Sequence, residues 1–320
     1  MSRPTLAALR QLRDSLSPWS EQQPLPEGWA EYSRYYGLDF EGRFAALTHR
    51  AGVVESGGYC LAVQCWQAPS ATRNLVLLHG YTDHTGLFRH LIEYGLATGC
   101  NVLIFDLPGH GLSTGEPAAI DDFGEYAQAL ADVLAAVTLP ALPTWTMAQS
   151  TGCSVLMEYA RRNDWPFQAT VLLAPLLRPA EWHRVRIAWW LLRSFTKSIP
   201  RSFNRNSSDE AFLEFIQQDP LQPTRVPLRW IGALKRWLGD LPLADLGAGP
   251  ALVLQGDQDG TVDWRYNTGH IDRLFAGSEI QFLPEAGHQL ANESMEIRSV
   301  YLDQVSSYVE PKLSRVTESA

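Results

Sequence analysis

The sequence predicts an α/β protein: a mostly parallel sheet with helices on both faces and a helical cap inserted into the chain. Three observations carry this reading. Short runs such as Leu75-Val-Leu-Leu and Val102-Leu-Ile-Phe are apolar throughout, as strands buried on both faces must be. They alternate with stretches of helical period, the order that right-handed crossovers between parallel strands produce. The alternation stops near Arg178 and resumes after Asp245.

Taken in order, residues 1–45 read as an N-terminal extension. Thr5 to Leu16 can form a short helix, which Pro24, Pro26 and Gly28 then break. Phe44-Ala-Ala-Leu-Thr and Tyr59 to Trp66 read as strands joined through Ser56-Gly-Gly. Strand Leu75–Leu78 is followed by a helix from Gly86 to Thr98. Strand Val102–Phe105 is followed by a helix from Asp122 to Val137. Strand Thr144–Met147 leads into a helix from Thr151 to Arg162, and Val171–Ala174 closes this half. The interruption, residues 178–245, reads as helical and rich in Trp and Arg. The alternation then resumes with strand Ala251–Leu254, helix Tyr266–Phe275, strand Glu279–Leu283 and helix Ser294–Tyr308. The core is therefore expected at 46–177 and 246–320. The cap should lie over the sheet's C-terminal edge, where open α/β sheets bind ligands.

Composition narrows the class. The chain has 320 residues, 45% hydrophobic and 19% charged, as a globular enzyme-sized protein does. No apolar run reaches the roughly 18 residues of a membrane span. Arg10, Arg13 and Asp14 fall where a signal peptide would be apolar, so no secretion signal is read and a cytoplasmic location is expected. The net charge of −9 argues against a nucleic-acid partner. The four cysteines, Cys60, Cys65, Cys100 and Cys153, lack metal-ligand spacing and read as buried free thiols. Neither a metal nor a cofactor is expected.

The chemistry starts at Ser150, in Trp145-Thr-Met-Ala-Gln-Ser-Thr-Gly152. Small-x-Ser-x-Gly between a strand and a helix places the serine on a sharp turn with its Oγ exposed, the position of a nucleophile. Such a serine needs a base, an orienting acid and an oxyanion hole. His288 follows strand Glu279–Leu283 and is the expected base. Asp259 follows strand Ala251–Leu254 and is the expected acid, with Asp257 and Asp263 as competing carboxylates. Asp257 also reads as a turn-former and Asp263 as the start of the next helix. His79-Gly80-Tyr81 follows strand Leu75–Leu78, so the expected oxyanion donors are the backbone N–H groups of Tyr81 and Thr151. His79, His84 and His110 read as scaffolding of their loops.

These segments together resemble an α/β-hydrolase, and more narrowly the monoacylglycerol lipase and lysophospholipase group, of serine aminopeptidase S33 type. The matching segments are His79-Gly-Tyr-Thr-Asp-His84, Asp106-Leu-Pro-Gly-His-Gly-Leu-Ser113, Asp122-Phe123 and Gly256 to Val262. The resemblance covers roughly residues 45–177 and 246–310 and implies eight mostly parallel strands. Ala148 stands where the group has Gly, Cys153 where a second Gly is common, and the cap does not align.

The expected activity is cofactor-independent hydrolysis of a carboxylic ester with an apolar acyl part: a monoacylglycerol, a lysophospholipid or a simple ester. Amide, thioester or carbon–carbon cleavage, or a non-catalytic binding role for the cap, are the alternatives. Ser150 argues against dehalogenase and epoxide-hydrolase chemistry, which want Asp at the elbow. The cap holds 11 Lys and Arg against 7 Asp and Glu. Trp189 and Trp190 are expected to line or roof the acyl site. Basic, Trp-bearing helices can also rest on a lipid surface, through Arg184, Arg186 and Arg193 here; equally, they can pack on the core with their arginines solvated.

Overall fold

The structure is a computed structural model describing residues 3–20 and 24–317, with side chains to residue 314. The chain opens with α1 (Leu6–Asp14) and α2 (Trp29–Tyr36), then the strands β1 (Thr48–Ser56) and β2 (Tyr59–Gln67). Next come β3 (Arg73–Leu78), α3 (Arg89–Ala97), β4 (Cys100–Phe105), α4 (Phe123–Ala136), β5 (Thr144–Gln149), α5 (Thr151–Arg162) and β6 (Ala169–Leu173). Residues 178–245 carry α6 (Trp182–Leu192), β7 (Ser198–Pro200), α7 (Glu210–Gln218), β8 (Arg225–Pro227) and α8 (Leu228–Asp240). The chain ends on β9 (Leu252–Gly256), α9 (Trp264–Leu274), β10 (Glu279–Leu283) and α10 (Met295–Thr317).

Eight strands form one sheet in the order β1-β2-β4-β3-β5-β6-β9-β10. β2 runs antiparallel to both its neighbours, and the pairs from β4 to β10 are parallel. The order reverses at β3: the chain steps out to β4 and then back across to β5. That reversal opens a crevice beyond the strands' C-terminal ends. The loops after β3, β5, β9 and β10 all emerge there.

Local chemistry fixes several boundaries. Gly57 and Gly58, both at positive φ, make the tight turn between β1 and β2. Asp122 caps α4, and the Glu125 side chain reaches back to the Asp122 N–H, closing a capping box. Asp263 caps α9 and accepts the Tyr266 N–H at 3.2 Å.

The structure departs from the reading in four places. Residues 44–47 are not strand: Arg43 and Phe44 turn back onto Phe40 O, Ala46 sits at φ 53°, and β1 begins at Thr48. The segment read only as a helix break contains α2, bounded by Gly28 and Gly37 in left-handed conformation. The N-terminal segment also shares the core. Leu9, Leu12, Trp29, Tyr32 and Tyr36 are buried in one apolar cluster with Leu75, Trp145 and Val171. In the inserted segment, β7 and β8 form a small antiparallel pair where only helix was read. α8 buries Trp230, Ile231, Leu234 and Trp237, whereas α6 buries only Trp182. Among the described residues, no helix is long and apolar enough to cross a membrane.

Candidate active site

Ser150 occupies the one-residue turn between β5 and α5, at φ 53° and ψ −114°. A non-glycine residue there is strained, and the surroundings hold it. Its N–H donates to Leu173 O at 2.9 Å, and its carbonyl accepts Cys153 N–H at 3.0 Å and Leu176 N–H at 3.2 Å. Gly152 is obligatory, since a Cβ there would lie 2.6 Å from Leu78 O. The two departures from the family pattern are both packed. Ala148 is buried in the core, register partner of Leu78 and Leu172. The Cys153 thiol donates to Ala148 O at 3.1 Å, and burial pushes its pKa up.

His288 Nε2 lies 2.9 Å from Ser150 Oγ, and His288 Nδ1 lies 2.8 Å from Asp259 Oδ2. Asp259 Oδ1 accepts the Thr261 and Val262 N–H groups at 2.8 and 3.1 Å, and Gln255 Nε2 donates to Oδ2 at 3.0 Å. Burial opposes ionisation of Asp259, but the facing imidazole and these donors outweigh it and hold the carboxyl below its ordinary value. Burial likewise disfavours a charged His288, yet the attraction and hydrogen bond of Asp259 raise its pKa above 6.5. The competing carboxylates sit elsewhere. Asp257 is exposed and accepts Glu285 N–H at 2.9 Å, and Asp263 pairs with Arg178 at 2.7 Å.

The Tyr81 N–H is aimed by its neighbours. His79 Nε2 accepts Leu107 N–H at 2.9 Å, which leaves the proton on Nδ1, and Nδ1–H donates to Gly80 O at 2.8 Å. In a trans peptide the C=O and N–H point opposite ways, so holding Gly80 O on His79 turns the Tyr81 N–H away from that ring. An ideal Cβ on Gly80 would lie 3.2 Å from Ser150 Cβ, which places this peptide against the serine. The Tyr81 ring is clamped as well, stacked on Trp230 at 3.8 Å with its hydroxyl on Ala118 O at 2.7 Å. Thr151 N–H is the first of α5, and first-turn N–H groups have no intrahelical acceptor.

His84 and His110 serve their loops. His84 Nδ1 accepts Gly86 N–H, and its Nε2 meets Asp219 at 2.7 Å, in a buried pair that Tyr36 OH joins from α2. His110 is buried with its pKa pushed down to about 4, burial being the main cause.

Ser150 and His288 open into a cavity of about 970 Å³, counting its mouth. Its apolar wall includes Leu176, Leu213, Ile216, Val226, Trp230 and Val262. Trp189 and Trp190 do not line it, which corrects the expectation placed on them. Trp189 lies over Gly232 with its indole N–H on Leu228 O at 2.8 Å, and Trp190 is 63% exposed. Trp230 and Phe203 are the aromatic residues that line the cavity from the inserted segment.

Sequence reasoning also missed how that segment holds the histidine loop. Asn206 O accepts both the His288 and Gln289 N–H groups, at 2.9 and 2.8 Å. Buried Glu293 accepts Gly287 N–H at 2.6 Å and both the N–H and hydroxyl of Ser208. The pattern Gly287-His288 was the available signal: a Cβ at Gly287 would lie 2.6 Å from Asn206 O.

The sheet order, the strained serine between strand and helix, and the insertion between β6 and β9 define an α/β-hydrolase fold. The solved structure of a soluble variant of monoglyceride lipase from Saccharomyces cerevisiae, bound to a substrate analogue, superposes with a TM-score of 0.70 at 16% identity. That match covers 86% of this chain and 99% of the yeast one. The chain belongs to the serine aminopeptidase S33 family, which matches residues 69–295. Among sequence relatives, a monoglyceride lipase homologue of Monkeypox virus is 25% identical over 266 residues, 78% of this chain and 93% of the relative. A monoacylglycerol lipase of Mycolicibacterium smegmatis is 26% identical over 266 residues, 79% of this chain and 94% of the relative.

Proposed function

We propose that this protein hydrolyses a carboxylic ester with an apolar acyl group, through an acyl-enzyme on Ser150. The observation that carries the reading is the unbroken relay Ser150–His288–Asp259 opening into a largely apolar cavity. His288 takes the Ser150 proton and returns it to the leaving alcohol. Asp259 fixes the tautomer with the proton on Nδ1 and stabilises the imidazolium. The N–H groups of Tyr81 and Thr151 receive the oxyanion, and His288 then activates water against the acyl-enzyme. The names of the viral and mycobacterial relatives support a glycerol ester, and a lysophospholipid or simple ester presents the same bond. No cofactor enters this scheme. The basic outer face of α6 supports peripheral contact with a lipid surface.

The test is covalent labelling with a fluorophosphonate, together with hydrolysis of an ester panel of graded chain length. Ser150→Ala is expected to lose both while staying folded. Ser113 and Ser154 already donate to Asp106 O and Leu176 O, so they are poor substitutes. Labelling that persists at either one, or wild-type protein inert to the whole panel, would overturn the proposal.

A further inference from the structure

Arg201 follows β7 and lines the cavity that holds Ser150. Its backbone N–H is anchored on Thr224 O at 2.9 Å. Its Nη1 donates to Gln222 Oε1 at 2.5 Å and to Pro223 O at 3.4 Å, and its guanidinium lies 4.5 Å over the Phe203 ring. Among the described residues, no carboxylate lies within 4.0 Å of it, and Nε and Nη2 donate to no protein acceptor. Two other half-buried arginines differ: Arg178 pairs with Asp263 at 2.7 Å and Arg298 reaches Asp209 at 4.0 Å. Asp83 and Asp219 act on Arg201 only from further away. Both are already occupied, Asp83 by Gln289 Nε2 at 3.0 Å and Asp219 by His84 and Tyr36.

A guanidinium withdrawn from water costs free energy unless a counter-charge meets it. Its planar fork matches two oxygens of a carboxylate or phosphate. The same cavity offers an apolar wall at Leu213, Ile216 and Trp230. We propose that the substrate of this site is an anionic amphiphile whose carboxylate or phosphate docks on Arg201 while its apolar chain lies along that wall. The inference rests on the ester-hydrolase reading for what is cleaved, but not for what is bound.

Equilibrium binding to Ser150→Ala protein, read by tryptophan fluorescence, tests it without turnover. Two matched pairs serve as ligands. Decanoylglycerol against its 3-phosphate places the anion on the head group. Dimethyl sebacate against its monomethyl ester places it at the far end of the acyl chain. The anionic member of at least one pair should bind about tenfold tighter or more, the range of one charge-assisted contact. That gap should close when Arg201→Gln is added and be kept in part with Arg201→Lys, which retains the charge and loses the fork. A gap in the first pair assigns a phosphate head group, and a gap in the second an acyl carboxylate. Equal binding within both pairs, no binding of either, or a gap that survives Arg201→Gln overturns the proposal. Hydrolysis of neutral esters with no such gap would sink this inference alone, whereas failure of phosphonate labelling at Ser150 would sink the catalytic reading alone.

Discussion

Asp257 and Asp259 stand two residues apart in one turn, yet their surroundings give them different work. Asp257 is exposed and holds the Glu285 N–H, whereas Asp259 is buried and holds the His288 ring. Asp259→Asn is therefore expected to cost on the order of 10⁴ in kcat, because it reverses the tautomer that leaves Nε2 free to accept. Asp257→Asn should change kcat by only a few-fold, and equal losses would overturn the assignment. A pH profile checks the same pair. The base must be neutral, and the Asp259 charge raises the pKa of His288 above 6.5. The acidic limb of kcat/KM should consequently turn over above pH 6.5, with activity lost as pH falls through it, and should move down in Asp259→Asn. The order serine, acid, histidine was legible because each residue follows a strand. The spacing of the loop also put Asp259 ahead of Asp257, while burial and the hydrogen bond to His288 are what tell the two apart physically.

The elements of the core were legible because period and burial agree there; in the inserted segment the helical character was legible, but the β7–β8 pair was not, because three-residue strands carry no period. Composition alone drew attention to Trp189 and Trp190. Consecutive residues on a helix point about 100° apart, so the two indoles could not both face one site. α6 turns Trp189 toward α8 and Trp190 to solvent, and it is α8 that brings Trp230 onto Tyr81. Trp230→Ala should thus lower kcat/KM on long-chain esters more than on acetate-sized ones, since the binding energy removed is remote from the scissile bond. Trp190→Ala should leave that chain-length preference unchanged. Steady-state kinetics on a graded panel decides this, and an unchanged preference in Trp230→Ala would remove that residue from the acyl wall. The junction at Asn206 and Gly287 also means that the inserted segment holds the backbone of the histidine loop.

At the scale of the whole molecule, charge and apolar exposure are sorted in space. The net charge is −9, yet the inserted segment carries an excess of basic residues. On its outer face Ile187, Trp190, Leu191 and Phe195 are exposed, Phe195 to 87%. Their spacing of three and four residues makes one stripe along α6 and its C-terminal end. Arg184, Arg186 and Arg193 belong to the same stretch, and only Arg184 has an acidic partner close by in sequence, Glu181. An anionic lipid surface would repel the net charge of this molecule and attract this basic face. Apolar side chains reaching into the head-group region would add to the attraction. Wild-type protein should therefore sediment with vesicles containing phosphatidylserine at low salt and come off as salt is raised. Neutralising Arg184, Arg186 and Arg193 should weaken binding by up to about 1 kcal/mol per charge. Phe195→Ser should weaken it without altering its salt dependence, because it removes apolar contact and leaves the charges in place. Absence of vesicle binding at low salt would mean that the stripe meets something other than lipid.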